Sequence, residues 1–210
     1  DTDEPQKVAD SIKQLKLRYV VITSVDRDDL PDQGSTHFRD VVQCIKKENL
    51  FTKVEVLTPD FSGKDDYIAK VLESDPEVFG HNVETVERLT RAFRDRRSSF
   101  ETSLKVLQIV KSKKHQQLTK TSLMVGAGES KEEIFDTLKI IRDYHVDIIT
   151  IGQYLQPTKK HHPVMRFVHP DEFREYEDFG HSLGFKGIKA SPMTRSSFLA
   201  EDVFMQTQIL

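Results

Sequence analysis

One cysteine, Cys44, serves the whole 210-residue chain. A single thiol excludes a disulfide framework within the chain, and it excludes an all-cysteine metal cage. Its setting, Val41-Val42-Gln43-Cys44-Ile45, predicts a buried position on a helix. Long apolar runs are missing too. None approaches the roughly 20 residues that a membrane-spanning helix needs, so no membrane partner is expected. Nor does charge of one sign dominate: lysine and arginine total 31 against 34 acidic residues, a net charge of −3. That balance lacks the basic excess of a general nucleic-acid binder, and no nucleic-acid partner is expected. Linkers, repeats and low-complexity stretches are absent, and the first residues do not read as a signal peptide or transit leader. The length suits one full-sized domain, residues 1–210.

What is present is a regular alternation of helical and strand-like segments. Asp3-Glu4-Pro5 followed by Val8, Ile12 and Leu15 reads as an acidic helix start with proline in the first turn, then an amphipathic helix. Short apolar runs at 18–23, 53–57, 78–79, 118–125 and 146–151 read as five strands, some 25 to 35 residues apart. Helical patterns fill the intervals at 36–48, 65–72, 86–93 with 100–110, and 131–143, and 170–183 is the last long one. Ser130 with Glu133 has capping-box spacing. Successive βα units predict an α/β fold with a parallel sheet. A complete eight-fold barrel typically takes about 250 residues, so an open or partial barrel fits better. The opening helix implies a preceding strand that the chain does not contain.

The stretch RYVVITSVDRDDLPDQG, Arg18 to Gly34, passes from a buried-type strand straight into dense polar turn chemistry. In parallel α/β proteins the ligand site lies outside the carboxyl ends of the strands. Two readings stand: a ligand-facing loop, or a solvated βα loop with a capping aspartate. The residues that should converge there are Thr23, Ser24, Asp26, Arg27 and Asp28; Pro59 and Asp60; Asn82 and Glu84; Gly126, Gly128 and Glu129; and Gln153, Tyr154 and Gln156. Such a set suits a ligand with hydroxyls, an amino group and a carboxylate better than a phosphate. No Gly-Lys-Ser/Thr follows the glycine pair, so it is not a P-loop. Asp26, Asp28, Asp29 and Asp32 would also serve a divalent cation, although their spacing is not that of a calcium loop. His161-His162-Pro163 after Lys159-Lys160 reads as a basic surface loop, and Ala190 to Phe198 as a polar, helix-poor tail.

Six segments, RYVVITSVDRDDLPD, VEVLTPDFSG, HNVETV, KTSLMVGAGE, IGQYLQPTKKH and the terminal RSSF, occur in an order and spacing that strongly resembles lipoyl synthase. The resemblance covers Glu4 to Glu201. It implies a partial (β/α)6 TIM-like barrel of radical SAM type, here lacking its first strand. It implies S-adenosyl-L-methionine and two [4Fe–4S] clusters as cofactors. One cluster cleaves S-adenosylmethionine to a 5′-deoxyadenosyl radical, and the other is consumed to insert sulfur at carbons 6 and 8 of a protein-bound octanoyl chain. The partners it implies are octanoylated lipoyl-carrier domains, of a 2-oxoacid dehydrogenase E2 or a glycine-cleavage H protein. The wording of KTSLMVG, HNVETV and RDRRSSF is most similar to the mitochondrial branch, which points to the matrix for a eukaryotic source and the cytoplasm otherwise.

Carried over by residue, the resemblance puts Thr23 and the loop Ser24 to Asp29, with Asp26, at the methionine moiety of the cofactor. Asn82 and Glu84 match an Asn-x-Glu that would meet the ribose hydroxyls. Lys120, with Gly126 to Glu129, matches the strand whose glycines let the adenosyl group approach, and Gln153 joins this cofactor-binding set. Ser197 corresponds to a serine ligand on the auxiliary cluster, an unusual donor where thiolates are the rule. Arg195 would be a positive group beside that cluster or its substrate. The departures are as plain. Both cysteine triads are missing, and Cys44 matches neither. Phe198 stands in place of a tyrosine, Ser191-Pro192-Met193-Thr194 in place of a Gly-Pro-hydrophobic pair, and Ser122 where many members have glycine. The chain alone is therefore expected to be inactive and to assemble no stable cluster. Two further readings compete: a truncated homologue that binds SAM-like nucleosides or a protein partner without radical chemistry, and a Mg²⁺-dependent barrel enzyme using the aspartate-rich loop.

Overall fold

The computed structural model describes residues 1 to 208. Six parallel strands form one sheet in strictly sequential order: β1 Tyr19–Thr23, β2 Lys53–Leu57, β3 Val78–Gly80, β4 Leu118–Val125, β5 Ile148–Gln153 and β6 Gly187–Ala190. Each strand pairs only with its chain neighbours, so the sheet curls like a barrel wall and stays open between β1 and β6. One more strand is present than the five expected. The run Gly187-Ile188-Lys189-Ala190 holds four residues with a single β-branched side chain, too weak a signal to read from pattern alone. The polar tail to Phe198 is free of helix, and a short helix follows it at Ala200–Gln206.

The helices are α1 Glu4–Leu15, α2 Ser35–Glu48, α3 Asp65–Leu72, α4 Thr90–Phe93, α5 Phe100–Lys113, α6 Lys131–Asp143, α7 Pro170–Ser182 and α8 Ala200–Gln206. Their apolar stripes cover the outer face of the sheet in two clusters. Around β1 to β3 gather Val20, Val54, Val56 and Phe79 with Phe38, Ile45 and Ile68 from the helices. Around β4 to β6 gather Leu123, Val125, Ile149, Ile151 and Ile188 with Leu138, Phe173 and Tyr176. The expected capping box opens α6, with Ser130 and Glu133 bonding each other's backbone. Cys44 lies on α2 but is half-buried, and its thiol faces the Gln6 side chain at 3.6 Å. Gln6 on α1 leaves that side of α2 less covered than the Val-Val-Gln-Cys-Ile pattern implies.

Side chains of alternate strand residues point inward. The first inward residues, Tyr19, Val78, Leu118 and Ile148, form a small cluster with Val203 and Phe204 of α8. Helix α8 thus plugs the amino-terminal end of the barrel. Tyr19 and Phe204 rings lie 5.5 Å apart, and Gly187 is required because a β-carbon there would sit 2.9 Å from the Val203 carbonyl. From β6 the tail crosses the opening and reaches β1, where Arg18 pairs with Glu201 at 3.4 Å. All strand carboxyl ends are left facing the opposite way, where the loops gather.

Candidate functional site

Loops after β1, β2 and β3 enclose a polar pocket of about 230 Å³ together with the segment Arg94 to Ser98. The β1 run ends at Thr23, and Ser24, Asp26, Arg27 and Asp28 all line the pocket. The loop divides into two parts. Asp32 caps α2, accepting from the Gly34 and Thr36 backbone at 3.0 Å each; the Thr36 hydroxyl first, and then these backbone bonds, hold its carboxyl below the usual range. Ser24 to Asp28 turn the other way, to the pocket. The aspartates do not converge on a cation: Asp29 is held bidentately by Arg27 at 2.7 and 2.8 Å, and Asp28 pairs with Arg97. Among the described residues no group of three or more His, Cys, Asp or Glu side chains is placed to hold a metal ion.

Beyond β3 the backbone runs alongside β4 and is fastened to it. The Glu84 N–H donates to the Ser122 carbonyl at 3.0 Å, and the Met124 N–H donates to the Glu84 carbonyl at 2.8 Å. These bonds keep Glu84 at φ +72°, a left-handed conformation costing about 1–3 kcal/mol in a non-glycine residue. The carboxylate thereby comes beside Asn82, whose Nδ2 donates to Oε1 at 3.1 Å. Burial pushes the Glu84 carboxyl upward, while the Asn82 bond and the Arg94 charge pull it down. His81 stands behind this pair, fully held between the Thr58 carbonyl (2.9 Å) and the Ser103 hydroxyl (3.0 Å). Burial lowers its imidazole to about 4, so it stays neutral at ordinary pH.

Arg94 is the residue that pattern reasoning missed. Its Nη1 donates to Ser103 at 2.6 Å, and among the described residues no carboxylate pairs with it, although it lines the pocket. The available signal was compositional: five arginines lie between Arg88 and Arg97. The pocket therefore offers carboxylates (Asp26, Asp60, Glu84), a free guanidinium and the Asn82 amide at one place. That is a donor set for a small zwitterion with vicinal hydroxyls.

The other expected residues lie elsewhere. Lys120 points inward one layer lower, in a buried ion pair with Glu55 at 2.8 and 3.0 Å, and Tyr19 donates to the same carboxylate at 2.7 Å. Glu129 turns back on its own turn and accepts from the Gly126 and Ala127 N–H groups at 2.5 and 2.9 Å. Gln153 is spent on holding the chain after β5: Nε2 donates to the Tyr154 and Arg166 carbonyls, and Oε1 accepts from Val168 N–H. Gly126 sits at φ +97°, where a β-carbon would meet Gln153 Nε2 at 2.3 Å. Arg195 lies over the end of β5, donating to the Thr194 carbonyl at 2.6 Å. Gly152 permits this close approach, since a β-carbon would lie 2.0 Å from that carbonyl. Ser197 lines a separate groove of about 880 Å³ between α1, the free edge of β1 and the start of α8.

The family model of the radical SAM superfamily matches residues 1–152. The lipoyl synthase of Caldicellulosiruptor bescii is 48% identical over 202 residues, covering 96% of this chain and 69% of that protein. That of Thermus thermophilus is 48% identical over 206 residues, covering 98% and 64%. The Legionella pneumophila (strain Paris) lipoyl synthase is 47% identical over 209 residues, covering 100% and 64%. In fold the chain is similar to methylornithine synthase (TM-score 0.68, 13% identity, 99% of this chain and 59% of that one). It is also similar to the FeFe-hydrogenase maturase HydG from Carboxydothermus hydrogenoformans (TM-score 0.66, 10% identity, 96% and 48%). The chain spans 64% to 69% of the length of these three lipoyl synthases.

Proposed function

The chain belongs to the lipoyl synthase family of the radical SAM superfamily, and from that premise we propose that the pocket behind Thr23 binds S-adenosylmethionine for sulfur insertion into a protein-bound octanoyl chain. The observation carrying this reading is the Asn82–Glu84 pair, hydrogen-bonded at 3.1 Å and facing a pocket lined by both charge signs. A ribose diol needs an acceptor and a donor side by side, which this pair supplies. The methionine part carries an ammonium and a carboxylate. Asp26 and Ser24 suit the ammonium, and the unpaired Arg94 suits the carboxylate. The left-handed backbone at Glu84 holds its carboxylate in place before the ligand arrives, which lowers the ordering cost of binding.

An iron–sulfur cluster does not fit these residues in the same way. Cys44 lies on α2 outside the pocket, Ser197 lies in a different groove, and one thiol with one hydroxyl is too small a donor set. No step through a cluster is derived from them. What this chain does is bind, orient and shelter the nucleoside ligand. When bound, S-adenosylmethionine supplies radical chemistry on one-electron reduction.

The test is calorimetry of the chain with S-adenosylmethionine and S-adenosylhomocysteine. Both are expected to bind, and Glu84→Gln and Arg94→Ala are each expected to weaken binding about tenfold or more, the range for a lost charge-assisted bond. Glu84→Gln should leave thermal stability unchanged or higher, because burial disfavours its charged form. Failure of both ligands to bind the parent chain would defeat the reading.

A further inference from the structure

Two basic segments from distant parts of the chain meet on the loop face. Arg88 to Arg97 holds five arginines and one aspartate, and Leu155 to Arg166 holds two lysines and an arginine with no carboxylate, within a chain whose net charge is −3. They are locked together in two places. Phe93 stacks on Tyr154 at 4.4 Å and on His162 at 5.3 Å. Arg88 donates to the Gly128 carbonyl at 2.9 Å, and Met165 packs over that same glycine.

This region gathers several cations that no carboxylate among the described residues pairs with. Arg91, Arg96, Lys159 and Lys160 are exposed, and none has an ion-pair or hydrogen-bonded side-chain partner among the described residues. Apolar side chains stand among them. Leu155, Met165 and Phe167 are 51%, 61% and 76% exposed. Met165 and Phe167 alternate with Arg166 and Val168, whose backbone Gln153 holds, so the alternation presents the two outward by construction. The connection from β5 to α7, residues 154–169, has no helix or strand of its own, and loops that long in compact domains are commonly binding elements. Exposed apolar side chains rimmed by unpaired cations mark a protein-binding surface more than a nucleic-acid one. The nearby acids do not cancel the patch: Asp95 is held by Arg97, and Glu87 and Glu101, which line the same hollow as Arg91 and Arg96, form no ion pair with either.

We infer that this shelf docks an acidic protein domain, the carrier that presents its acylated lysine to the pocket. The inference rests on the reading above, and the geometry is consistent with it: Arg94, Asp95 and Arg97 line the pocket, while Arg91, Asp95 and Arg96 line the adjoining hollow of about 920 Å³. One short segment is thus shared by the ligand pocket and the docking shelf. An acidic carrier surface would complement the free cations and be steered toward them.

The experiment measures binding of the chain to an octanoylated lipoyl-carrier domain by interferometry at 50 and 300 mM salt. S-adenosylhomocysteine calorimetry runs in parallel as the separate readout of the pocket. Lys159→Glu/Lys160→Glu and Arg91→Glu/Arg96→Glu are each expected to weaken carrier binding about tenfold, mainly through the association rate, and to flatten its salt dependence. Nucleoside binding should be untouched, as it should be by the far-side control Lys13→Glu/Lys47→Glu, which should also leave carrier binding intact. Carrier binding equal in parent and shelf variants would overturn the docking surface, as would no carrier binding by the parent. Single-stranded DNA binding as tightly as the carrier would overturn it too. If the nucleoside also fails to bind the parent, the pocket reading falls separately.

Discussion

His81 is neutral for a geometric reason. Its two ring nitrogens are both occupied, by the Thr58 carbonyl and the Ser103 hydroxyl, and no carboxylate sits close enough to offset burial. Arg94, on the same serine, adds repulsion. With the folded imidazole lowered to about 4 from an ordinary 6.5, the unfolded chain takes up a proton first as pH falls. Stability is therefore full above pH 6.5 and is lost progressively down to about pH 4, by roughly 3 kcal/mol at about 1.4 kcal/mol per pH unit. The carboxylates held low by arginine, Glu133 and Glu172, both at about 2, give up their contribution only below about 4.5. Glu84, pushed up by burial, takes up its proton above 4.5 and adds stability as pH falls, so the difference between the parent and a His81 variant is what isolates the histidine. Urea midpoints at pH 7, 6, 5 and 4.5 should fall steeply for the parent chain and much less for His81→Gln. Parallel curves for the two proteins would show that another group titrates.

Residue identity alone foretold part of this site. Ser24, Asp26, Asn82 and Glu84 were legible because a strand ending in dense polar residues in a parallel sheet can point them only one way. Lys120 was not. It follows the same strand rule, yet its partner Glu55 is 65 positions away, and only the register of β2 to β4 brings the two together inside the barrel. Glu129 and Gln153 sit in loops of the right address, but their side chains satisfy backbone groups that no pattern displays. Arg94 lies in the irregular stretch between α4 and α5, with no periodicity to mark it.

At the scale of elements, five of the six strands declare themselves as apolar runs, and the capping box of α6 follows from local chemistry. What escapes is whatever depends on close approach. The turn after β4 is the clearest case: Gly126 takes φ +97°, and a β-carbon there would fall 2.3 Å from Gln153 Nε2 and 2.4 Å from the Arg166 carbonyl. Both atoms belong to the link that holds residues 164–168, so nothing can step aside without releasing the strap that carries Met165 and Phe167. Gly184 supplies the comparison, at φ +81° with open space around its β-position. Gly184→Ala should cost about 1 kcal/mol, backbone strain alone. Gly126→Ala should cost about 3 kcal/mol or more, strain plus collision, and should open the strap to limited proteolysis near Met165. Equal losses in denaturant titration would mean that the close contact is not what selects glycine.

For the molecule as a whole, the open sheet raises the question of what makes its two halves one unit. Each half has its own outer core, and consecutive pairing joins them only through the short β3–β4 ladder. Two elements bridge them. One is α8, whose Phe204 and Val203 gather the first inward residues of β1, β3, β4 and β5. The other is α5, which sits astride the divide with two apolar stripes: Phe100, Leu104 and Leu107 enter the β4–β6 core, and Val106, Ile109 and Val110 enter the β1–β3 core. Such a helix transmits loss of packing from one side to the other, so the intact chain should unfold in one step with equal calorimetric and van't Hoff enthalpies. Val106→Ala/Ile109→Ala leaves the first stripe in place and removes much of the second, at about 3–5 kcal/mol for the pair. That variant should uncouple the halves. Native-state hydrogen exchange would then show β2 amides opening well below the energy of β5 amides, whereas in the parent chain both open together. Loss of protection spread evenly over β2 and β5 in the variant would place the coupling in the sheet or in α8 and not in α5.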